Sequence, residues 1–314
     1  MSVAAPLAVA FTAADGYRLH GTLWRHPEAA TPARPVVLIN PATSVRARYY
    51  SRFATWLHAL CLVVPSYVYR GSFASRPPSL RGLDAGWLDW GQLDFEAALQ
   101  YVDSALPGQP VQVVAHSVGG FLVGLAPSSH RVGRVFSMGA QYAYWRDYMP
   151  ERRAALLLKW HVFMPALTAL LGYFPGQWLG WLEDTPRGVV RDWTARCPRF
   201  EDAWRLDEAE RATLLERFAA VRGATLALSL SDDEFGTVPA IQRLLRYYRN
   251  SAVTHVHLSP QAVGERAIGH FAFFHSRFER TLWPLALEWL RNGRLPDDAP
   301  GEVIPLSADD RVSA

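Results

Sequence analysis

Three kinds of residue in this chain sit where nucleophilic chemistry could be run: a serine at a sharp bend, paired carboxylates after one strand, and a histidine after the next. The serine is Ser117, within Val111 to Gly120, which reads Val-Gln-Val-Val-Ala-His-Ser-Val-Gly-Gly. A β-branched run climbs to Ser117, and two glycines then let the chain turn into Phe121 to Leu125, an apolar segment that reads as a helix start. A strand-turn-helix of this kind lifts a hydroxyl clear of the backbone and aims the N–H of the next residue, Val118, at a reacting carbonyl oxygen. The usual pattern is G-x-S-x-G; here Ala115-His116-Ser117-Val118-Gly119 has alanine in the first place, still small enough for close strand–helix approach. The competing reading, a phosphate cradle, lacks both G-x-G-x-x-G and Gly-Lys-Ser/Thr in the stretch.

A serine hydroxyl needs a base, and the base an orienting acid. Asp232 and Asp233 directly follow the strand Thr225 to Leu230, in Ser-Leu-Ser-Asp-Asp-Glu-Phe. His270 follows the strand Val253 to Leu258 through a loop ending Ala-Ile-Gly-His-Phe. Of the ten histidines, His20, His26, His58 and His130 precede or lie far from that position, His161 falls in an aromatic-rich stretch, and His255 and His257 lie within a strand. His275 is the near rival and reads as the approach to the last helix; His116 reads as a structural residue beneath the bend. No H-E-x-x-H or C-x-x-C spacing occurs, so no metal site and no cofactor is expected.

These side chains need strand ends to hold them, and the pattern supplies the strands. Leu7 to Thr12 and Tyr17 to Trp24, joined at Asp15-Gly16, read as a hairpin. Pro35 to Asn40 reads as a fully buried strand, because its apolar run is continuous rather than alternating; Cys61 to Pro65 reads as the next buried strand, Val111 to His116 as the strand that leads to the bend, and Val132 to Met138 as a short strand. Helical spacing of Tyr50, Phe53, Ala54, Leu57 and Leu60, and of Phe95, Ala98, Leu99 and Val102, predicts helices between them. This alternation predicts an α/β fold built on a doubly wound, mostly parallel sheet. It lapses from about residue 141 to residue 221, where Gln141 to Trp204 holds six of the twelve tryptophans and repeated prolines, and this stretch reads as a helical insertion. It resumes over residues 222–294, with Leu285, Trp289 and Leu290 on a last helix, and residues 295–314 read as a disordered tail.

With 314 residues, half of them apolar, the chain can bury a large core in one domain with an insertion. A net charge of +3 without clustered cations gives no nucleic-acid footprint. Lys159 is the only lysine and arginine supplies the rest of the 32 cations, which reads as composition bias. Two cysteines, Cys61 and Cys197, are too few for a disulfide framework; Cys61 is expected as a buried core-strand residue, and a reducing, cytoplasmic setting follows. Met1 to Ala10 has no positive n-region and does not read as a leader. Ala154 to Phe174 has the length of a membrane span, but Lys159, His161 and Pro165 near its middle argue against one, and membrane association is not expected.

The chain resembles the α/β-hydrolase superfamily, near bacterial hydrolases of the serine aminopeptidase, monoacylglycerol lipase and lysophospholipase group. The resemblance spans about Leu7 to Leu290 and rests on Ala-His-Ser-Val-Gly-Gly at 115–120, Tyr-Arg-Gly at 69–71, Ser-Asp-Asp-Glu at 231–234 and Gly-His-Phe-Ala-Phe-Phe at 269–274. It implies the order Ser117, acid, His270, with Asp233 preferred over Asp232 by its distance from the strand start. It implies a helical lid where the tryptophan-rich insertion falls. The His-Gly common after the third strand is Asn40-Pro41 here, so the second oxyanion donor is expected to be the N–H of Ala42, with Thr43 as the alternative, since Pro41 has none. Val68 and Phe73 stand where an aspartate and a glycine are frequent. The resemblance implies cleavage of a small-molecule ester or thioester with an apolar acyl or aromatic group, through an acyl-enzyme. Acyl transfer, peptidase activity and ligand binding without turnover are the alternatives.

Overall fold

A computed structural model of the protein describes residues 5–26 and 35–306. Its strands are β1 (Leu7–Thr12), β2 (Arg18–Trp24), β3 (Val36–Asn40), β4 (Val64–Val68), β5 (Val111–His116), β6 (Val132–Met138), β7 (Tyr173–Phe174), β8 (Thr185–Pro186), β9 (Ala224–Leu230), β10 (Val253–Leu258) and β11 (Glu302–Ile304). Nine form one sheet in the order β1-β2-β4-β3-β5-β6-β9-β10-β11, while β7 and β8 make a separate ribbon. The six strands from β4 to β10 in that order run parallel, while β1 with β2, β2 with β4 and β11 with β10 pair antiparallel. The sheet is therefore the mostly parallel, helix-flanked one that the strand–helix alternation predicts.

Every residue of β3, β4 and β5 is buried. Their side chains alternate between two apolar layers, as a pleat requires. Val36, Leu38, Val113 and Ala115 pack with the helices Glu96–Ala105 and Glu208–Ala220 on one face. Val37, Ile39 and Val114 pack with α1 (Ala47–Ala59) and the helix Trp283–Asn292 on the other. Fully buried side chains such as Phe53 and Phe121 contribute about 2–3 kcal/mol each. An ion-pair hub, buried at Arg70 and Asp94, ties the sheet edge together. Arg70, in the Tyr-Arg-Gly motif after β4, donates from its backbone N–H (2.8 Å) and Nε (2.7 Å) to Asp94, and from Nη1 (2.5 Å) and Nη2 (3.1 Å) to Asp15 of the opening hairpin turn.

Between β6 and β9 the chain is mainly helical. Its longest rod, Arg153–Leu171, is the one helix among the described residues long and apolar enough to cross a membrane, with mean hydropathy 1.6. A π-helical turn over Lys159–Phe163 interrupts it. Trp160, Met164 and Thr168 face inward and are buried, while Leu158 (63% exposed) and Leu170 (82%) face out.

Two expectations are corrected. Cys61 is neither buried nor in a strand: it sits exposed in the turn after α1 at φ +68°, its N–H bonded to the His58 carbonyl, and β4 starts at Val64. The apolar run Cys61 to Pro65 extends over both the helix-closing turn and the strand, and periodicity cannot divide it. The disordered tail is also corrected in part, since β11 pairs antiparallel with β10 through Glu302 to Ile304 and His255 to His257. Three residues of ladder hydrogen bonding outweigh the acidic, proline-containing composition there; residues 307–314 and Met1 to Ala4 lie outside the described residues.

Candidate active site

Ser117 stands at the C-terminal end of β5 at φ +54°, ψ −126°, a conformation that costs a side-chain-bearing residue about 1–3 kcal/mol and so has to be held by its surroundings. The holding contacts are short. The Ser117 N–H donates to the Met138 carbonyl at 2.9 Å, and the Gly120 N–H donates back to the Ser117 carbonyl at 3.0 Å. Both glycines are sterically required, because a Cβ on Gly119 would lie 2.3 Å from the Asn40 carbonyl oxygen and one on Gly120 would lie 2.4 Å from the Cβ of Ala140. Asn40 locks the facing loop: its Nδ2 donates to the Gly119 carbonyl at 2.6 Å, and its Oδ1 accepts from the hydroxyls of Tyr67 (2.5 Å) and Tyr69 (2.8 Å). The Ser117 hydroxyl has no hydrogen-bond partner among the described residues and opens on a cavity of about 170 Å³.

His270 and Asp233 are brought together by the ends of β10 and β9. His270 Nδ1 lies 2.7 Å from Asp233 Oδ2. A carboxylate only accepts, so Nδ1 carries the proton and Nε2 keeps its lone pair for the cavity, where His270 is a wall residue with Ser117. Asp233 is fully buried, and its Oδ1 accepts the N–H groups of Phe235 (2.8 Å) and Gly236 (2.7 Å). Burial alone would raise its pKa. The His270 ring and the two N–H donors outweigh it and hold the carboxyl below the usual carboxylate range.

Asp232 points elsewhere: its Oδ2 accepts the N–H groups of Ile268 (2.7 Å) and Gly269 (3.0 Å), which fixes the loop that presents His270. His275 caps the short turn Ser276–Phe278. His116 is locked beneath the bend and kept neutral, its pKa pushed down to about 3 by burial and by the neighbouring His270. Its Nε2 lies 2.8 Å from the His270 carbonyl, which can only accept, so Nε2 carries the proton and Nδ1 accepts from the Tyr50 hydroxyl at 2.9 Å. That hydroxyl in turn accepts the Ala42 N–H at 2.9 Å.

One expected donor is not free: the Ala42 N–H already donates to the Tyr50 hydroxyl at 2.9 Å. The Thr43 N–H has no partner among the described residues, and neither has that of Val118, the first residue of the helix Val118–Val123. Ala42, Thr43 and Val118 all line the cavity, so the free donor pair is Val118 and Thr43.

Two glycines that motif reading passes over complete the site. A Cβ on Gly139, just after β6 at φ +58°, would lie 2.9 Å from Asp233 Oδ2 and 3.0 Å from His270 Cε1; one on Gly236 would lie 2.5 Å from Asp233 Oδ2. The roof comes from the helical segment, which contributes Trp160, Trp181, Leu182, Trp193 and Lys159. The Lys159 ammonium lies over the rings of Trp160 (4.5 Å) and Trp181 (4.1 Å), and burial lowers its pKa. Among the described residues no group of three His, Cys, Asp or Glu side chains is placed to hold a metal ion.

No protein-family model matches the chain, and no curated protein matches it in sequence. Solved structures do match. An esterase domain of a Rhodothermus marinus protein superposes with a TM-score of 0.53 at 18% identity, over 92% of this chain and 98% of that one. A Pyrococcus furiosus esterase gives 0.54 at 13% identity over 91% of each chain. A thioesterase domain from the curacin biosynthetic pathway gives 0.50 at 15% identity, over 90% of this chain and 99% of that one. At such identities the likeness concerns backbone architecture, and with the sheet order above it establishes that the chain has the α/β-hydrolase fold.

Proposed function

We propose that the protein is a serine hydrolase that cleaves a carboxylic ester or thioester through an acyl-enzyme. The observation that carries this reading is the convergence of a strained, unbonded Ser117 hydroxyl, the Asp233–His270 pair and two free N–H groups on one cavity. A pocket used only to retain a ligand has no need of a buried carboxylate that fixes a histidine tautomer.

In the proposed reaction Ser117 Oγ attacks the acyl carbon while His270 Nε2 takes its proton, and Asp233 stabilises the imidazolium. The N–H groups of Val118 and Thr43 receive the oxyanion; loss of one such donor costs about 10² to 10³ in rate. His270 then protonates the leaving group, and water enters by the same route to release the acid. A cavity of about 170 Å³ walled by Trp87, Trp160, Trp193 and Phe235 fits a compact acyl chain or a single aromatic ring. The helical segment over it serves as the lid.

A fluorophosphonate probe tests this directly. Stoichiometric labelling of Ser117, located by peptide mass spectrometry, together with hydrolysis of short acyl and aryl esters, is expected. Ser117→Ala should lose both, and retention of full esterase activity by that variant would disprove the reading. Product analysis with competing alcohols or amines separates hydrolysis from acyl transfer.

A further inference from the structure

The catalytic cavity is not closed on all sides. It shares Trp181, Leu182 and Phe271 with a larger groove of about 770 Å³ that opens toward solvent. The groove is more than four times the volume of the 170 Å³ cavity. Phe271 directly follows His270, so the groove leaves the cavity on the histidine side. That side belongs to the leaving group, because the departing atom must sit within reach of His270 Nε2 to be protonated.

The groove wall is cationic. Arg46, which immediately precedes α1, and Arg48 and Arg52 from its first half line it. Arg48 and Arg52 are four residues apart on a helix and so share a face, an arrangement that like-charge repulsion disfavours when nothing lies between them. Arg48 has no ion pair among the described residues, and Arg52 donates only to the neutral Ser276 hydroxyl at 3.0 Å. The one acid on the wall, Glu183, lies 3.8 Å from Arg46 and also 3.8 Å from Arg76, so it is already shared between two guanidinium groups. The first turn of α1 contains no acidic residue, and its N-terminal polarity adds to the positive field. Arginine is abundant over the whole surface. What distinguishes these three is a position along the exit path from the catalytic histidine.

We propose that this groove is the binding site for a phosphorylated leaving group, a phosphate-bearing thiol or alcohol whose acyl group enters the tryptophan-lined cavity. The inference rests on the serine hydrolase reading and refines its substrate class. In the thioester case the Ser117 Oγ–acyl bond forms as the C–S bond breaks, and the serine proton passes through His270 to the departing sulfur. Water then cleaves the acyl-enzyme, so one water is consumed and one acid and one thiol are released. Planar guanidinium forks suit the phosphate oxygens, and the groove is large enough for a leaving group much bulkier than the acyl part.

The test compares substrates that differ only in the phosphate. Butyryl coenzyme A is set against S-butyryl-N-acetylcysteamine, and butyryl glycerol phosphate against monobutyrin, at low and high salt. A preference in kcat/KM of about tenfold or more for the phosphorylated member of at least one pair is expected. It should fall toward unity in Arg48→Ala/Arg52→Ala and at high salt. The pair showing the preference identifies the source, thiol carrier or glycerophosphate. Equal kcat/KM within each pair, with neutral esters still turned over, would overturn the groove assignment alone. No turnover of any ester and no probe adduct on Ser117 would overturn the hydrolase reading and this inference with it. As a readout without turnover, Ser117→Ala should bind coenzyme A or glycerol phosphate by calorimetry, and the double arginine substitution should weaken that binding about tenfold or more. Affinity for both ligands unaffected by the double substitution would count against the groove.

Discussion

Asp233→Asn is the most informative single change. The asparagine keeps an oxygen for the Phe235 and Gly236 N–H groups, which Asp233 Oδ1 accepts at 2.8 and 2.7 Å, so the turn after β9 should stay folded. What disappears is the negative charge 2.7 Å from His270 Nδ1. An imidazolium and a carboxylate with charge centres about 4 Å apart attract by about 4 kcal/mol at an effective dielectric constant of 20, which is about 10³ in rate. The amide can also present its NH₂ to Nδ1, which shifts the ring proton to Nε2 and removes the base; loss of this carboxylate from a Ser-His-Asp triad costs about 10⁴ in kcat. The expected result is therefore a fall in kcat of about 10³ to 10⁴ with KM little changed, measured on a neutral short-chain ester at pH 7.5 with circular dichroism as the fold control. Asp232→Asn is the paired measurement. That side chain holds only the Ile268 and Gly269 N–H groups, and its loss should cost about tenfold or less, through the position of the His270 loop. A kcat within tenfold of wild type for Asp233→Asn, with the fold intact, would refute the assignment; a larger loss in Asp232→Asn would transfer it.

Gly139→Ala introduces a Cβ about 3.0 Å from His270 Cε1 at a positive φ, and a fall in kcat of about 10² or more is expected, with the Ser117 probe reacting correspondingly slowly. Trp160→Ala enlarges the tryptophan-lined cavity, so the kcat/KM optimum across a series of p-nitrophenyl esters should move to longer acyl chains; an unchanged optimum would place the acyl group elsewhere. Arg70→Met strands the fully buried Asp94, whose pKa burial already raises to about 7, and about 3–5 kcal/mol of stability should be lost in urea unfolding. Burial pushes His116 down to about 3 and His161 and His255 to about 4, below the unfolded value of about 6.5. As pH falls through 6.5 the unfolded chain takes up protons first, so stability should decline from there by about 2 kcal/mol per histidine at pH 5; equal urea midpoints at pH 7.5 and pH 5 would contradict this.

The fold was legible where one physical rule governs a local stretch, and so was most of the candidate site. Strands β3, β5 and β9 are almost wholly buried because both faces of the sheet are covered, and a polar residue just past such a strand must lie at a sheet end. Ser117 and Asp233 are of that kind, while His270 follows β10 across a longer loop. Side-chain direction obeys no such rule. Asp232 and Asp233 are adjacent and alike in type, and only the turn between them sends one toward His270 and the other toward the backbone of residues 268 and 269. Ala42 and Thr43 differ in the same way. Which of the two N–H groups is free depends on the Tyr50 hydroxyl, near the start of α1, and that hydroxyl depends in turn on the tautomer of His116, which the His270 carbonyl sets. Which N–H is left free is thus set through hydrogen bonds linking residues 42, 50, 116 and 270, and a linear pattern carries no trace of it. The same non-locality explains Lys159. In sequence it is an isolated cation in an apolar helix and reads as an argument against a membrane span; in the fold a π-helical turn and two tryptophans place it on the wall of the cavity that holds Ser117.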